Sequence, residues 1–590
     1  MRIGRSFLLA VTLTLSHQAA RADFGMAQRA LANGDYPTAI REFTREAEAG
    51  HLESQLIMAR LNEEGRGLAA NPAEAFRWYL KAAQQGDTEA QYRAGSALAA
   101  GRGVPKSEAD GAPLLEQAAG KGHKLAQFEL AGLLEKGAGV EKDEARALAL
   151  YKKAAEQGHP ESQYRAAVML EEGRGADQDL TAALAWLHKA GDAGIVDAEL
   201  RLGRAYEQGK GVEKDETEAF NWLSVAASDG SAEAMFRTSE MLSTGRGVAA
   251  NPAKALEWME KAAAKGHVEA QFGLASKYAN GQGVERDPAK AAQWFRTAAE
   301  NGHAGAFFQL RMLQASGVAM SGAELLKAYQ VMADQGNGDA QYDLAGLYLN
   351  GDGVPRNQQQ AIEWLRKAAA QQHAGAQFRL AQILQDREGG GAEAAKMLES
   401  AAKQGHPGAQ YQYALWLAMG KSGAPRNDAE VNQWLQSAAE QGHTEAQLSL
   451  ASRLASGVGG VKDEAGALHW YKQAAESGNP EAEFAYGAAL AGEKATAADL
   501  PEASRWVRKA AEASHPPAMA LLGLFYLDGR GVAQDYVQAH MWLNLAAAHG
   551  DQTGAEGRQR LNQMMTREQM AQAQELAREW KPASREPSHR

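Results

Sequence analysis

Ten of the 12 tryptophans stand in one register of a repeat, and that spacing limits the fold more than any other feature of the chain. They are Trp78, Trp186, Trp222, Trp258, Trp294, Trp364, Trp434, Trp470, Trp506 and Trp542. From Trp78 to Trp294 each step is 36 residues, with Leu114 and Leu150 in the two registers between Trp78 and Trp186. From Trp434 to Trp542 each step is again 36. Four residues after the large side chain comes an Ala-Ala-x-x-Gly signature, as in KAAQQG from Lys81, KAAEQG from Lys153 and KAAAKG from Lys261. A fixed period of this length marks a stacked array, whose units cannot bury their apolar faces alone and lean on their neighbours. One continuous core is excluded by length, since cores stop growing near roughly 250–300 residues.

Each period reads as two helices. In EAQFGLASKYANG, Ala270, Leu274 and Tyr278 share one helical face, and Gly281 supplies a left-handed C-terminal stop. The turn Gly281-Gln282-Gly283-Val284 follows. Asp287 then occupies the N-cap place, with Pro288 at the first helical position, where its missing N–H costs nothing. In the second helix Ala291, Trp294, Phe295, Ala298 and Ala299 fall on one apolar stripe. Asn71-Pro72-Ala73-Glu74 repeats the start signal, with Glu74 placed to complete a capping box. Tryptophan at helical spacing among alanines reads as core: large contact area from the indole, close backbone approach from the Ala-Ala pair.

These residues resemble the Sel1-like repeat family, relatives of tetratricopeptide repeats. The family pattern is A-x-[YF]-x-L-G-x-x-Y, a G-x-G-V turn, then D-x-x-x-A-x-x-W-x-x-K-A-A-x-x-G. Ala340 to Tyr348 with Gly351-Asp352-Gly353-Val354 is close to it, as is Ala518 to Tyr526 with Gly529-Arg530-Gly531-Val532. The motif recurs from about residue 35 to 550, and second helices from the one near Glu42 to that holding Trp542 number about 15. The resemblance implies an all-α fold, an α-solenoid of stacked helix-turn-helix repeats curved into a superhelix that binds protein or peptide partners on its concave face. Some secreted members with a disulfide in every repeat bind penicillin-like compounds; a chain with no cysteine departs from that subfamily.

The expected organisation is a signal peptide over 1–22, a tetratricopeptide-like capping repeat over 23–70 and a first repeat segment over 71–310. A second segment with irregular turns follows over 311–552, then a capping helix over 553–580 and a disordered tail over 581–590. Thr566-Arg567-Glu568-Gln569 reads as a capping box opening the last helix, with Trp580 docking its end. The period breaks in three places: Ser316 to Gly322, Asp386 to Gly391 with Met397 in the tryptophan place, and Ala491 to Leu500. The first break is expected to divide the array into two superhelical segments.

The N-terminus carries Arg2 and Arg5, an apolar run from Ser6 to Leu15, and Ala20-Arg21-Ala22 before Asp23. A charged start, a short apolar run and a small-x-small site make a secretory signal peptide, cleaved after Ala22. The run is too short to span a bilayer, which needs about 20 apolar residues. The mature chain is therefore expected to be periplasmic or secreted, without a membrane anchor. The absence of cysteine excludes disulfides, thiolate catalysis, Cys-ligated zinc and a lipid anchor. The net charge is −11, with both signs interleaved and no basic block, which argues against nucleic acid and against a polybasic membrane patch.

Candidate chemistry is sparse. Nine histidines follow the closing glycine of a repeat or its equivalent: His51, His123, His159, His267, His303, His373, His406, His443 and His515. A metal site needs three or four ligands converging on one ion, whereas these recur once per repeat, so a structural role at the interhelical turn is expected. Ser400-Ala401-Ala402-Lys403 matches the S-x-x-K nucleophile motif, without an accompanying K-T-G. The G-x-G turns lack the preceding strand and following residues that phosphate binding requires and read as connectors. No catalytic, cofactor-binding or metal residues are assigned, and no cofactor is expected. The favoured function is a non-enzymatic interaction scaffold of the bacterial cell envelope. The alternatives are a hydrolase or binding protein for a cell-wall or β-lactam substrate, resting on Ser400 and Lys403, and a glycan-binding scaffold in polysaccharide export.

Overall fold

The computed structural model describes residues 24–385, 391–421 and 426–583, and all regular secondary structure among them is helical. The pattern around Leu274 is the helix Val268–Asn280, and that around Trp294 the helix Pro288–Glu300. Gly281 closes the former in the left-handed region at φ 69°, and the Asp287 carboxylate accepts from the Lys290 N–H at 2.9 Å. The same pair of helices repeats along the chain, and second helices from Tyr36–Glu48 to Tyr536–Ala548 number fifteen among the described residues. At Asn71 the box is only half made: Asn71 Oδ1 accepts from Glu74 N at 3.1 Å, but the Glu74 carboxylate turns to Arg77 at 3.2 Å. Complete capping boxes form at Ser321–Glu324 and, as the sequence indicated, at Thr566–Gln569.

The turn does more than connect. The first glycine of G-x-G-V ends the first helix, but the second, Gly283 excepted, packs against the preceding repeat. At Gly247 (φ 67°) a Cβ would run into the carbonyl of Glu216, at the start of the preceding second helix. Backbone therefore meets backbone across the junction, which only glycine permits here.

Packing is dominated by alanine. Ala82, Ala118, Ala154, Ala190, Ala226 and Ala262, the first of each pair, are wholly buried. The tryptophans are not the centre of this core, contrary to the sequence reading. Trp78 and Trp542 are buried, at 2% and 4% exposure, but the other eight in the register are only partly so. The residue after the tryptophan lies deeper in most repeats: Leu187, Leu223, Phe295, Leu365 and Leu435, and Leu115 after Leu114, are 0–3% exposed. The second-helix stripe is centred one residue further on, so most of the indoles sit at its edge, keeping one face for a lysine three residues later. Lys189 lies 4.3 Å from the Trp186 ring centre, Lys261 4.3 Å from Trp258 and Lys367 3.7 Å from Trp364. A cation over an aromatic face contributes roughly 0.5–1 kcal/mol at exposed sites.

The chain separates into two compact units, one up to Ala298 and the other from Ala299. In the first, Thr88–Ala100 touches its successor Lys124–Lys136; in the second, Thr444–Ser456 touches Pro480–Leu490, which touches Pro516–Asp528. Among the described residues no two successive second helices from Tyr36–Glu48 to Tyr536–Ala548 come as close. The first helices thus form the tighter-spaced, inner layer within each unit. At the C-terminal end Trp580 packs edge-on to Trp542 at 5.8 Å, and Ala583 N–H donates to the Glu512 carbonyl at 3.0 Å. Among the described residues no helix is long and apolar enough to cross a membrane. The signal-peptide residues and the stretch 386–390 lie outside the described residues.

Candidate interaction surface

The inner layer is built by three sets of bonds that cross from one repeat to the next. The first involves the histidines. Each of the nine caps a first helix: ring Nδ1 accepts from the backbone N–H three residues on, as His159 does from Ser162 at 3.2 Å and His406 from Ala409 at 3.2 Å. The ring also lies on an aromatic side chain of the preceding repeat, at 4.5 Å for Tyr92–His123 and 4.6 Å for Phe236–His267. In three repeats Nε2 reaches an acid of that preceding repeat, Glu89, Glu233 or Asp339. The predicted structural role is thus helix capping combined with stacking. A cap accepting through Nδ1 requires a neutral ring, and burial pushes His159, His406, His443 and His515 below the ordinary value of 6.5. The unfolded chain then takes up protons that the folded chain refuses, so stability falls as pH drops below 6.5. His159→Ala is expected to cost about 1 kcal/mol at pH 7, and His159→Asn much less. Thermal melts between pH 7 and 5 check both; an equal loss in the two variants would show that the cap contributes nothing.

The second set escaped the sequence reading. The fourth residue of most first helices is a buried glutamine that donates to the carbonyl eight residues earlier, as Gln55 does to Ala47 at 3.0 Å. Its own Oε1 accepts from a glutamine at the end of the following second helix: Gln85 on Gln55, Gln157 on Gln127 and Gln371 on Gln341, all at 2.8 Å. The signal was present as Ala-Gln recurring at 90–91, 126–127, 270–271, 340–341 and 376–377.

The third set is ionic. In the first unit Arg93 reaches Glu63 (3.4 Å), Arg201 reaches Glu171 (2.6 Å) and Arg237 reaches Glu207 (2.9 Å), always 30 residues back. Burial alone would raise Glu171, but Lys210 and Arg201 outweigh it and hold the carboxyl below the ordinary range. Part-exposed pairs of this kind contribute roughly 0.2–1 kcal/mol each, so they order the surface more than they stabilise the fold.

In the second unit the pattern changes. Arg311 pairs with Asp339 at 3.0 Å and with Asp343 at 2.7 Å. Burial pushes Asp343 up to about 6 despite Arg311 beside it. A cavity of about 460 Å³ opens next to it, between Gly338–Asn350 and Ala374–Leu384, with Tyr342, Leu349, Phe378, Arg379 and Gln382 in its wall.

The Sel1 repeat model matches residues 52–87, 88–123, 124–159, 160–195, 196–231, 232–267, 268–303, 338–373, 374–406, 407–443, 444–479, 480–515 and 516–551. The chain belongs to the Sel1 repeat family. Among solved structures it is similar to a protective antigen present in uropathogenic Escherichia coli strains displaying an SLR fold. The two are 27% identical over 92% of this chain and 94% of that one, with a TM-score of 0.43. It is also similar to a Sel1 repeat protein from Oxalobacter formigenes, 32% identical over 51% of this chain and 90% of that one, with a TM-score of 0.42. An immunity protein from Pseudomonas aeruginosa shares 25% identity over 39% of this chain and 82% of that one, with a TM-score of 0.22. No curated protein matches the chain.

One helix pair, Ala304–Ala315 with Gly322–Asp334, falls between the matched Sel1 repeats. Its turn keeps the first glycine as Gly317 (φ 92°) but has Ala319 in place of the second, Phe307 replaces the buried glutamine, and Phe308 and Met312 are more than half exposed. The S-x-x-K residues do not form a catalytic pair. Lys403 Nζ lies 2.6 Å from Glu399, which raises its pKa, whereas a general base needs a lowered one. Ser400 Oγ instead donates to Gln372 Oε1 at 3.3 Å. Trp416, outside the tryptophan register, packs partly buried against the core of the second unit.

Proposed function

We propose that this Sel1 repeat chain is an exported interaction scaffold of the cell envelope, which holds a protein or peptide along the inner face made by its first helices. One observation carries the reading: the polar side chains of that face are already fixed by bonds between successive repeats. A partner laid on Arg93, Arg201 or Arg237 meets side chains ordered beforehand by Glu63, Glu171 and Glu207. Preformed surfaces spare the ordering cost that would otherwise weaken binding. The proposed export rests on Arg2, Arg5, the apolar run to Leu15 and the small-x-small site at Ala20–Ala22. No catalytic step belongs to this reading, since Lys403 is committed to Glu399.

The test places a photo-crosslinking amino acid at Gln382 on a first helix and, separately, at Lys254 on a second helix, in cells expressing the full chain. A discrete adduct from position 382 and none from 254 is the expected result. Equal adducts from both would remove the inner face from the proposal. Mass spectrometry of the same material is expected to find an N-terminus at Asp23 in the envelope fraction; an intact Met1 in the cytoplasm would overturn the exported part.

A further inference from the structure

In the first unit the chain provides its own carboxylate to three arginines that stand two residues after the buried fourth position: Glu63 to Arg93, Glu171 to Arg201 and Glu207 to Arg237. The fourth, Arg165, also has a glutamate 30 residues back, Glu135, which pairs with Arg174 and feels the Arg165 charge. Arg379 stands in the same place, two residues after the buried Gln377. Thirty residues before it, where the glutamate belongs, is Leu349. Sixteen residues after the glutamate, Tyr79 donates to Glu63 at 2.7 Å and Tyr151 to Glu135 at 2.9 Å, whereas the buried Leu365 holds that place here, as Leu187 and Leu223 do at the Arg201 and Arg237 junctions. Relative to the Arg201 and Arg237 junctions only the glutamate has changed, and Leu349, Leu365 and Arg379 all line the 460 Å³ cavity.

Arg379 is exposed, and its one side-chain bond among the described residues is to Gln382 Oε1 at 3.3 Å. A guanidinium carries five N–H donors in a planar fork suited to a carboxylate. The acids in the cavity wall are engaged elsewhere: Asp343 with Arg311 at 2.7 Å, and Asp352, which accepts from Gly322 N–H at 3.0 Å. Beside Arg379, Phe378 lies under the His406 ring at 4.6 Å and offers an apolar wall, as does Leu349.

We infer that this cavity takes the side-chain carboxylate of an aspartate or glutamate in an extended peptide, bound to Arg379 where the other junctions use a glutamate of the chain. The partner is thus an acidic peptide segment with apolar neighbours, which rests on the scaffold reading above and specifies the partner's chemistry at one site. The paired arginines of the first unit cannot offer the same recognition, because their carboxylates are built in.

The test is fluorescence anisotropy at low salt with the full mature chain and two fluorescein-labelled, C-terminally amidated peptides, Leu-Glu-Leu-Glu-Leu and Leu-Gln-Leu-Gln-Leu. The glutamate peptide is expected to bind about tenfold more tightly, the ratio one charge-assisted hydrogen bond supports. Arg379→Gln should erase the preference. Leu349→Glu should erase it too, by giving Arg379 an internal partner, with an unchanged circular dichroism spectrum and a melting temperature no lower than wild type. Equal binding of the two peptides, a preference that survives in Arg379→Gln, or no binding by either peptide each overturns the inference. The scaffold reading is judged separately by its crosslinks at position 382.

Discussion

Gly247→Ala is expected to destabilise the first unit by about 2–5 kcal/mol, and Gly283→Ala by only about 1–2 kcal/mol. Both glycines are the second of their turn and both have a positive φ, 67° and 75°. A left-handed alanine costs roughly 1–2 kcal/mol in either place. The difference lies in what the new Cβ meets. At Gly247 it collides with the Glu216 carbonyl across the junction, whereas nothing lies within 4 Å of a Cβ at Gly283. Relieving that collision means moving one repeat against the next, which costs a further 1–3 kcal/mol or so. Urea unfolding followed by circular dichroism measures the total, and hydrogen exchange over 216–244 locates it. Equal losses in the two variants would show that backbone strain alone accounts for the recurring turn geometry.

Glu199→Gln is expected to stabilise the chain by about 1–2 kcal/mol at pH 7. Glu199 occupies the place of the buried glutamines, at 1% exposure, and Asp229 stands where Gln85 and Gln157 reach back to them. A carboxylate cannot donate to the neighbouring carbonyl as Gln55 does, and Glu199 Oε2 has no hydrogen-bond partner. Burial first, and Asp229 second, push the Glu199 carboxyl above its ordinary value of 4.5. A raised carboxyl contributes stability that is fully present below 4.5 and is lost as pH rises through its folded-state value. The advantage of the glutamine variant should accordingly be near zero below pH 4.5 and grow toward neutrality. Melting temperatures of the two proteins from pH 4 to 8 give the comparison. A constant difference across that range would mean that Glu199 does not exchange a proton with the fold.

These two sites show where sequence reading succeeded and where it stopped. The helix pair, its glycine stop and its N-caps were legible because each is a local event within a few residues: Gly281, Asp287 and the Thr566–Gln569 box stand where the pattern placed them. The tryptophans misled about depth because the buried stripe of the second helix is centred one residue later, on Leu187, Leu223 and Phe295. The glutamine ladder was visible as spelling but not as meaning, since its bonds join residues 30 apart in different repeats. Arg379 was illegible for the same reason. Its own helix spells Gln377-Phe378-Arg379 in the ordinary pattern; what marks it is Leu349, thirty residues upstream, in a place where Arg93 and Arg201 find a carboxylate.

The junction bonds have one more consequence, for how the chain comes to be folded. Side-chain hydrogen bonds between repeats, among those described, reach no more than 39 residues along the chain. Contacts of such short range make for fast, low-barrier assembly. A polypeptide emerging N-terminus first can seat each hairpin on the one before it, and no completed segment waits with its apolar face bare for a distant stretch to arrive. The C-terminal end is different: Trp580 reaches back to Trp542, and Ala583 to Glu512. There the residues after Tyr536–Ala548 fold back over the repeat before them instead of adding another of the same pattern.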